Sequence, residues 1–114
     1  MYTSKVAKTL TLGKLGTSLD DLSEVLKALA DRTRLELVTE VYNGANNEAC
    51  VCDLTDVAGL SQGTVSHHLR VLVEVGILDR EQRGKWAYFT LTELGTSLMN
   101  SLGIKKSKIK SKNC

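Results

Sequence analysis

Cys50 and Cys52 stand two residues apart in the stretch ACVCDL, with Asp53 directly after them, in a chain that has one other cysteine, Cys114. Such a pair can be small core residues, half of a disulfide framework, or ligands for a soft ion. Soft thiolates favour thiophilic ions over hard ones. Two thiolates with no histidine beside them poorly satisfy Zn²⁺, which takes four ligands. Three cysteines cannot all pair within one chain, and the opening MYTSKVAKTLTLGKLGTS lacks the continuous apolar stretch of an export signal. Reduced thiols in a cytoplasmic protein are therefore expected. Asp53 and Asp56 read as acids at a helix start, where the dipole favours negative charge, and not as ligands.

A second group of reactive side chains follows ten residues later. Gln62, Thr64, Ser66, His67, His68 and Arg70 fall on one stretch, and these types can reach base edges or phosphates. Adjacent histidines on a helix point about 100° apart, so His67 and His68 are poorly placed to share a metal ion.

The elements that must position these residues are legible in the hydrophobic spacing. Ser18 reads as the cap of a helix whose Leu22, Val25, Leu26 and Leu29 form a stripe, with Asp20 and Asp21 in its first turn. Asp31 reads as the cap of a second helix ending near Asn43 and Gly44, and GANNEA as a polar loop. A short helix over Val51 to Ala58 follows, then a turn through Gly59 and Leu60, then a helix capped by Ser61 and stopped at Gly76. Two helices joined by a short glycine-containing turn form a helix-turn-helix. Trp86, Tyr88 and Thr90 then alternate with Ala87, Phe89 and Leu91, and Arg83-Gly84-Lys85 reads as the turn of a β-hairpin. Thr92 and Glu93 open a last helix reaching Leu102.

The predicted fold is a mainly α winged helix-turn-helix with a small β-hairpin (α+β). Residues 1–17 form an arm or short docking helix, residues 18–102 the domain, and residues 103–114 a tail carrying Lys105, Lys106, Lys108, Lys110 and Lys112. The net charge of +2 hides that basic end. No apolar run approaches the ~18–20 residues of a membrane span. In such a fold the second turn helix reads the major groove. Gln62, Gly63, Thr64, Ser66, His67, His68 and Arg70 are the candidate DNA contacts there, with Gly63 leaving room for the sugar-phosphate backbone. Arg80, Arg83 and Lys85 on the hairpin are candidates for phosphate beside the groove. Trp86 is expected to pack against the domain.

The stretches ALADRTRLELV, CVCDL, LSQGTVSHHLRVLVEVGIL and RGKWAYFTL, in this order over roughly residues 20 to 95, resemble the ArsR/SmtB family of dimeric metal- and metalloid-responsive bacterial repressors. The resemblance implies a winged-helix homodimer that holds operator DNA and releases it on binding a toxic ion, with no catalytic cofactor and no protein partner beyond its own second copy. It also implies that Cys50 and Cys52 are the inducer ligands, as in the arsenic and cadmium/lead branches. The arsenic branch commonly has a third cysteine where this chain has Thr55. The cadmium/lead branch adds cysteines from an N-terminal arm, and residues 1–49 have none. The last helix lacks the histidines of the zinc and nickel branch.

Trivalent arsenic or antimony takes three sulfurs, and a monomethylated arsenical two. Cys114, or a small cellular thiol, is the candidate third. Residues i and i+2 of a regular helix project about 200° apart, so an ion bound to both sulfurs is expected to distort the first turn of their helix. The alternatives are a sensor of methylarsenite, cadmium/lead or reactive sulfur on the same scaffold, a thiol reductase, and a constitutive DNA-binding protein with inert cysteines. The reductase lacks a Cys-x-x-Cys spacing and a βαβ pattern.

Overall fold

A computed structural model describes residues 18–104. The arm over 1–17, the tail lysines and Cys114 lie outside the described residues. Helices α1 (Leu19–Leu29) and α2 (Arg32–Asn43) are followed by a 3₁₀ turn (Ala45–Asn47) and strand β1 (Glu48–Cys50). Then come α3 (Val51–Ala58), α4 (Gln62–Glu74), β2 (Leu78–Arg83), β3 (Trp86–Leu91) and α5 (Glu93–Ser101). The three strands form one antiparallel sheet in the order β1-β3-β2. The architecture is the expected winged helix-turn-helix with one addition, because β1 occupies part of what was read as a polar loop.

Four of the five helices start where a short polar side chain satisfies an otherwise orphaned amide, α3 being the exception. Ser18 accepts from the Asp21 amide, Asp31 from Arg34, Ser61 from Thr64 and Thr92 from Gly95. The α3–α4 turn is made by Gly59, whose φ of +67° is left-handed and suits a residue without a Cβ. Helix α2 runs through the centre and buries Leu37, Val38 and Val41. Val25, Ala28 and Leu29 of α1, Leu54 of α3, Val65, Leu69 and Leu72 of α4, Ile77 and Leu78 at the start of the hairpin, Phe89 of β3, and Leu94, Leu98 and Met99 of α5 join them in the core. The buried Tyr42 hydroxyl donates to Asn100 Oδ1 at 2.6 Å, fastening α2 to α5.

The hairpin is anchored to the helices at its base. Thr92 Oγ1 donates to the Gly76 carbonyl at 2.6 Å, and the Thr92 amide donates to the Ile77 carbonyl at 3.1 Å. This brings the first turn of α5 against the β2 approach so tightly that Gly95 has no room for a side chain. A Cβ there would press into the Ile77 carbonyl and come within 2.7 Å of Leu91 Cδ2. Gly95→Ala should therefore cost ~1–3 kcal/mol in urea unfolding through overpacking, despite alanine's better helix propensity. Gly63 faces open space, and Gly63→Ala should leave stability unchanged or raise it by up to ~1 kcal/mol. Equal losses at both positions would refute this account of the hairpin anchor.

Candidate thiol site and nucleic-acid interface

Cys50 is the last residue of β1 and also the residue that precedes α3 as its N-cap. Its backbone is extended (φ −92°, ψ 159°), whereas Cys52 lies in the first helical turn. The helical 200° separation therefore does not apply, and the two Sγ atoms are in contact at 2.8 Å. This corrects the expectation that one ion could reach both sulfurs only by distorting the turn: the turn already brings them together. Cys50 is buried and Cys52 half-buried.

Asp53 joins them. One ligand atom from each of Cys50, Cys52 and Asp53 lies within 4.8 Å of the others, so Asp53 belongs to the cluster as well as to the first turn of the helix. Thr55, at the position of the family's third cysteine, donates its hydroxyl to the Val51 carbonyl at 2.8 Å. The site has soft donors and one hard donor at a helix N-terminus, where anionic ligands are favoured.

Val51, between the two cysteines, is buried and helps line a groove of about 650 Å³ between α4 and the hairpin. Seven of the ten candidate DNA residues line this groove: Gln62, Gly63, Ser66, His67, Arg70, Arg80 and Lys85. Trp86 stands at its edge with 43% of its surface exposed, so it is not packed away as expected. Ser61 and Thr64 hydroxyls are 3.0 Å apart at the exposed start of α4.

Three candidates are placed differently. Thr64 is exposed but is not among the groove-lining residues. His68 is half-buried, with Nδ1 3.0 Å from Arg34 Nη1. Arg34 also donates through Nε to the Ala28 carbonyl at 2.6 Å and stands 3.9 Å from Asp31. Its backbone amide, and then its charge, hold the Asp31 carboxyl below the ordinary carboxylate range. His68 thus ties the recognition helix to the α1–α2 corner. Arg83 pairs with Glu48 of β1 and with Glu81 at 2.9 Å, and its guanidinium lies 4.3 Å from the centroid of the Tyr88 ring. Hydrogen bonds from Arg83, to Glu81 first and Glu48 second, raise its pKa further above the usual value.

Sequence reasoning missed Arg34, Glu48 and the part taken by Asp53. Asp53 alone carried a signal, since it sits three residues after Cys50 at a helix start.

An arginine can only donate, so His68 Nδ1 must be the acceptor in its bond to Arg34. Long-range ¹H–¹⁵N spectra should show neutral His68 as the Nε2–H tautomer, and Arg34→Ala should abolish that preference. An Nδ1–H tautomer in the unsubstituted protein would rule the bond out.

The fold and these two faces define a winged helix-turn-helix regulator whose thiol pair flanks Val51, a residue of the groove between α4 and the hairpin. Residues 31–80 match the family described as "Bacterial regulatory protein, arsR family", and the chain belongs to that family. It is 37% identical over 67 residues to the arsenical resistance operon repressor of Bacillus subtilis, covering 59% of this chain and 62% of that protein. It is 37% identical over 73 residues to the cadmium resistance transcriptional regulatory protein CadC homolog of Staphylococcus aureus, covering 64% of this chain and 59% of that one. The chain thus spans about three fifths of the length of these relatives. The solution structure of a homodimeric winged helix-turn-helix DNA-binding domain from Mycobacterium bovis superposes with a TM-score of 0.68 at 24% identity, over 80% of this chain and 88% of that one. The family is one of bacterial regulatory proteins, and the fold is that of a winged helix-turn-helix domain. Among the described residues, no helix is long and apolar enough to cross a membrane.

Proposed function

We propose that this chain is a homodimeric transcriptional repressor that leaves its operator when trivalent arsenic or antimony binds Cys50 and Cys52. The observation that carries the reading is the 2.8 Å approach of the two sulfurs on a turn whose Val51 lines the groove between recognition helix and wing. Gln62, Ser66, His67 and Arg70 are the proposed contacts on the major-groove helix, with Gly63 allowing close approach. Arg80 and Lys85 are the proposed phosphate contacts from the wing, and Thr64, His68 and Arg83 are proposed to act beside them. Helix α1 leaves Leu19 and Leu26 exposed on one apolar strip with Leu22 and Ala30, a face suited to cover by a second copy. A dimer sets the spacing of its two recognition helices to half-sites about one DNA turn apart. An ion that shifts the start of α3 by a small amount disturbs that match, and coupling of ~1–3 kcal/mol suffices for 5–150-fold weaker binding.

Trivalent arsenic needs a third donor, supplied on this reading by Cys114 or by a small thiol. The carboxylate of Asp53 within the cluster favours a second reading, in which cadmium is held by two sulfurs and an oxygen. A cadmium resistance transcriptional regulatory protein is among the relatives this chain resembles.

The test is fluorescence anisotropy of a labelled duplex from upstream of the gene, bound by reduced protein at fixed salt and titrated with arsenite. Release near one or two equivalents per dimer is expected, together with a Cys50→Ser variant that binds DNA normally and ignores arsenite. Release by cadmium alone, lost in Asp53→Asn, would select the second reading. Undiminished release in both Cys50→Ser and Cys52→Ser would refute the site.

A further inference from the structure

The antiparallel register sets Cys50 of β1 opposite Tyr88 of β3, and Tyr88 opposite Glu81 of β2. Residues directly opposite one another project from the same face, as do residues two apart on a strand. Cys50, Tyr88 and Glu81 therefore make one row across the sheet, and Glu48 and Arg83 share its face. Glu48 and Arg83 belong to the two outer strands, which do not touch each other in the order β1-β3-β2. Their side chains nevertheless meet in an ion pair, and the Arg83 guanidinium lies on the Tyr88 ring between them. The Glu48 side chain is only 19% exposed, so this is not a loose surface contact.

The thiol turn and the wing are thus joined twice, once by backbone pairing and once by a side-chain clasp over Tyr88. Resting on the reading that the inducer binds Cys50 and Cys52, we propose that the Glu48–Arg83 clasp carries the state of the thiol turn to the DNA-binding wing. An ion seated between the two sulfurs must widen their 2.8 Å separation, and this moves the end of β1. Glu48, two residues back on the same three-residue strand, moves with it, and Arg83 at the wing turn follows its partner. Glu81 also holds Arg83, but from the wing itself, so it fixes the arginine without reporting on β1.

That asymmetry supplies the test. DNA affinity of the full chain is measured by anisotropy with and without arsenite, and with and without cadmium, and the ratio is the release factor. Glu48→Gln should bind the duplex within about threefold of the unsubstituted protein while its release factor falls at least about fivefold, the lower end of ordinary allosteric coupling. Glu48→Asp, which keeps the charge but shortens the reach, should show the same loss. Glu81→Gln should keep the full release factor. Release from Glu48→Gln and Glu48→Asp equal to that of the unsubstituted protein overturns the inference and leaves the thiol site standing. Equal loss in Glu81→Gln also overturns it, since the effect would then belong to Arg83 and not to β1. No release of the unsubstituted protein by either ion, or release that survives loss of both cysteines, overturns the underlying reading instead.

Discussion

Pairing of β1 with β3 is the constraint on which both faces of the molecule depend. A three-residue strand has no stability of its own, and Glu48–Cys50 is extended because β3 offers a second edge on which its backbone groups find partners. Once that pairing is made, Cys50 cannot join the helix that follows. It becomes the hinge between strand and helix, with Ala49 turned to the core beside Phe89 and Cys50 on the opposite face beside Tyr88. A slip of one residue would exchange those faces and set Cys50 in place of Ala49 beside Phe89. The apolar Ala49–Phe89 contact resists such a slip.

The same strand joins two functions that would otherwise be separate. The groove between α4 and the hairpin is walled by the candidate DNA contacts, while Val51 and Phe89 come to it from the thiol turn and the central strand. Helix α3 packs on both α2 and α4, so the start of the helix that carries Cys52 sits in a close-packed interior with little free volume to absorb a shift. His68 adds a second tie between the recognition helix and the rest of the domain, through Arg34 to the carbonyl of Ala28.

Most of this fold was legible from local chemistry. Ser18, Asp31, Ser61 and Thr92 each stand before a periodic apolar stripe, and each makes the capping bond that its type and place imply. The helix-turn-helix and the hairpin follow from Gly59 and from the alternation around Phe89. Strand β1 was not legible, because three residues carry no period and NEAC resembles its polar neighbours. Nor were the fates of Arg83 and His68. Both look like solvent-facing DNA contacts on their own elements, and only the tertiary fold brings Glu48 to one and Arg34 to the other. These are non-local pairings, Arg83 with a residue 35 positions earlier and His68 with one 34 positions earlier, beyond the reach of any spacing rule.

The thiol pair shows why spacing alone under-determines chemistry. Two cysteines separated by one residue within a helix diverge by about 200° and cannot address one atom. In a strand the same spacing puts both on one face, but some 6–7 Å of rise apart. At the strand-to-helix junction Cys50 is extended and Cys52 helical, and the sulfurs converge to 2.8 Å. Moved one residue forward, to positions 51 and 53, the pair would lie wholly inside α3 and diverge. The motif therefore works as a pair only because the N-cap falls on Cys50, and the N-cap falls there because β3 holds β1 extended up to that residue. The sequence of Cys-x-Cys names the donors, and the edge of the sheet makes them a site.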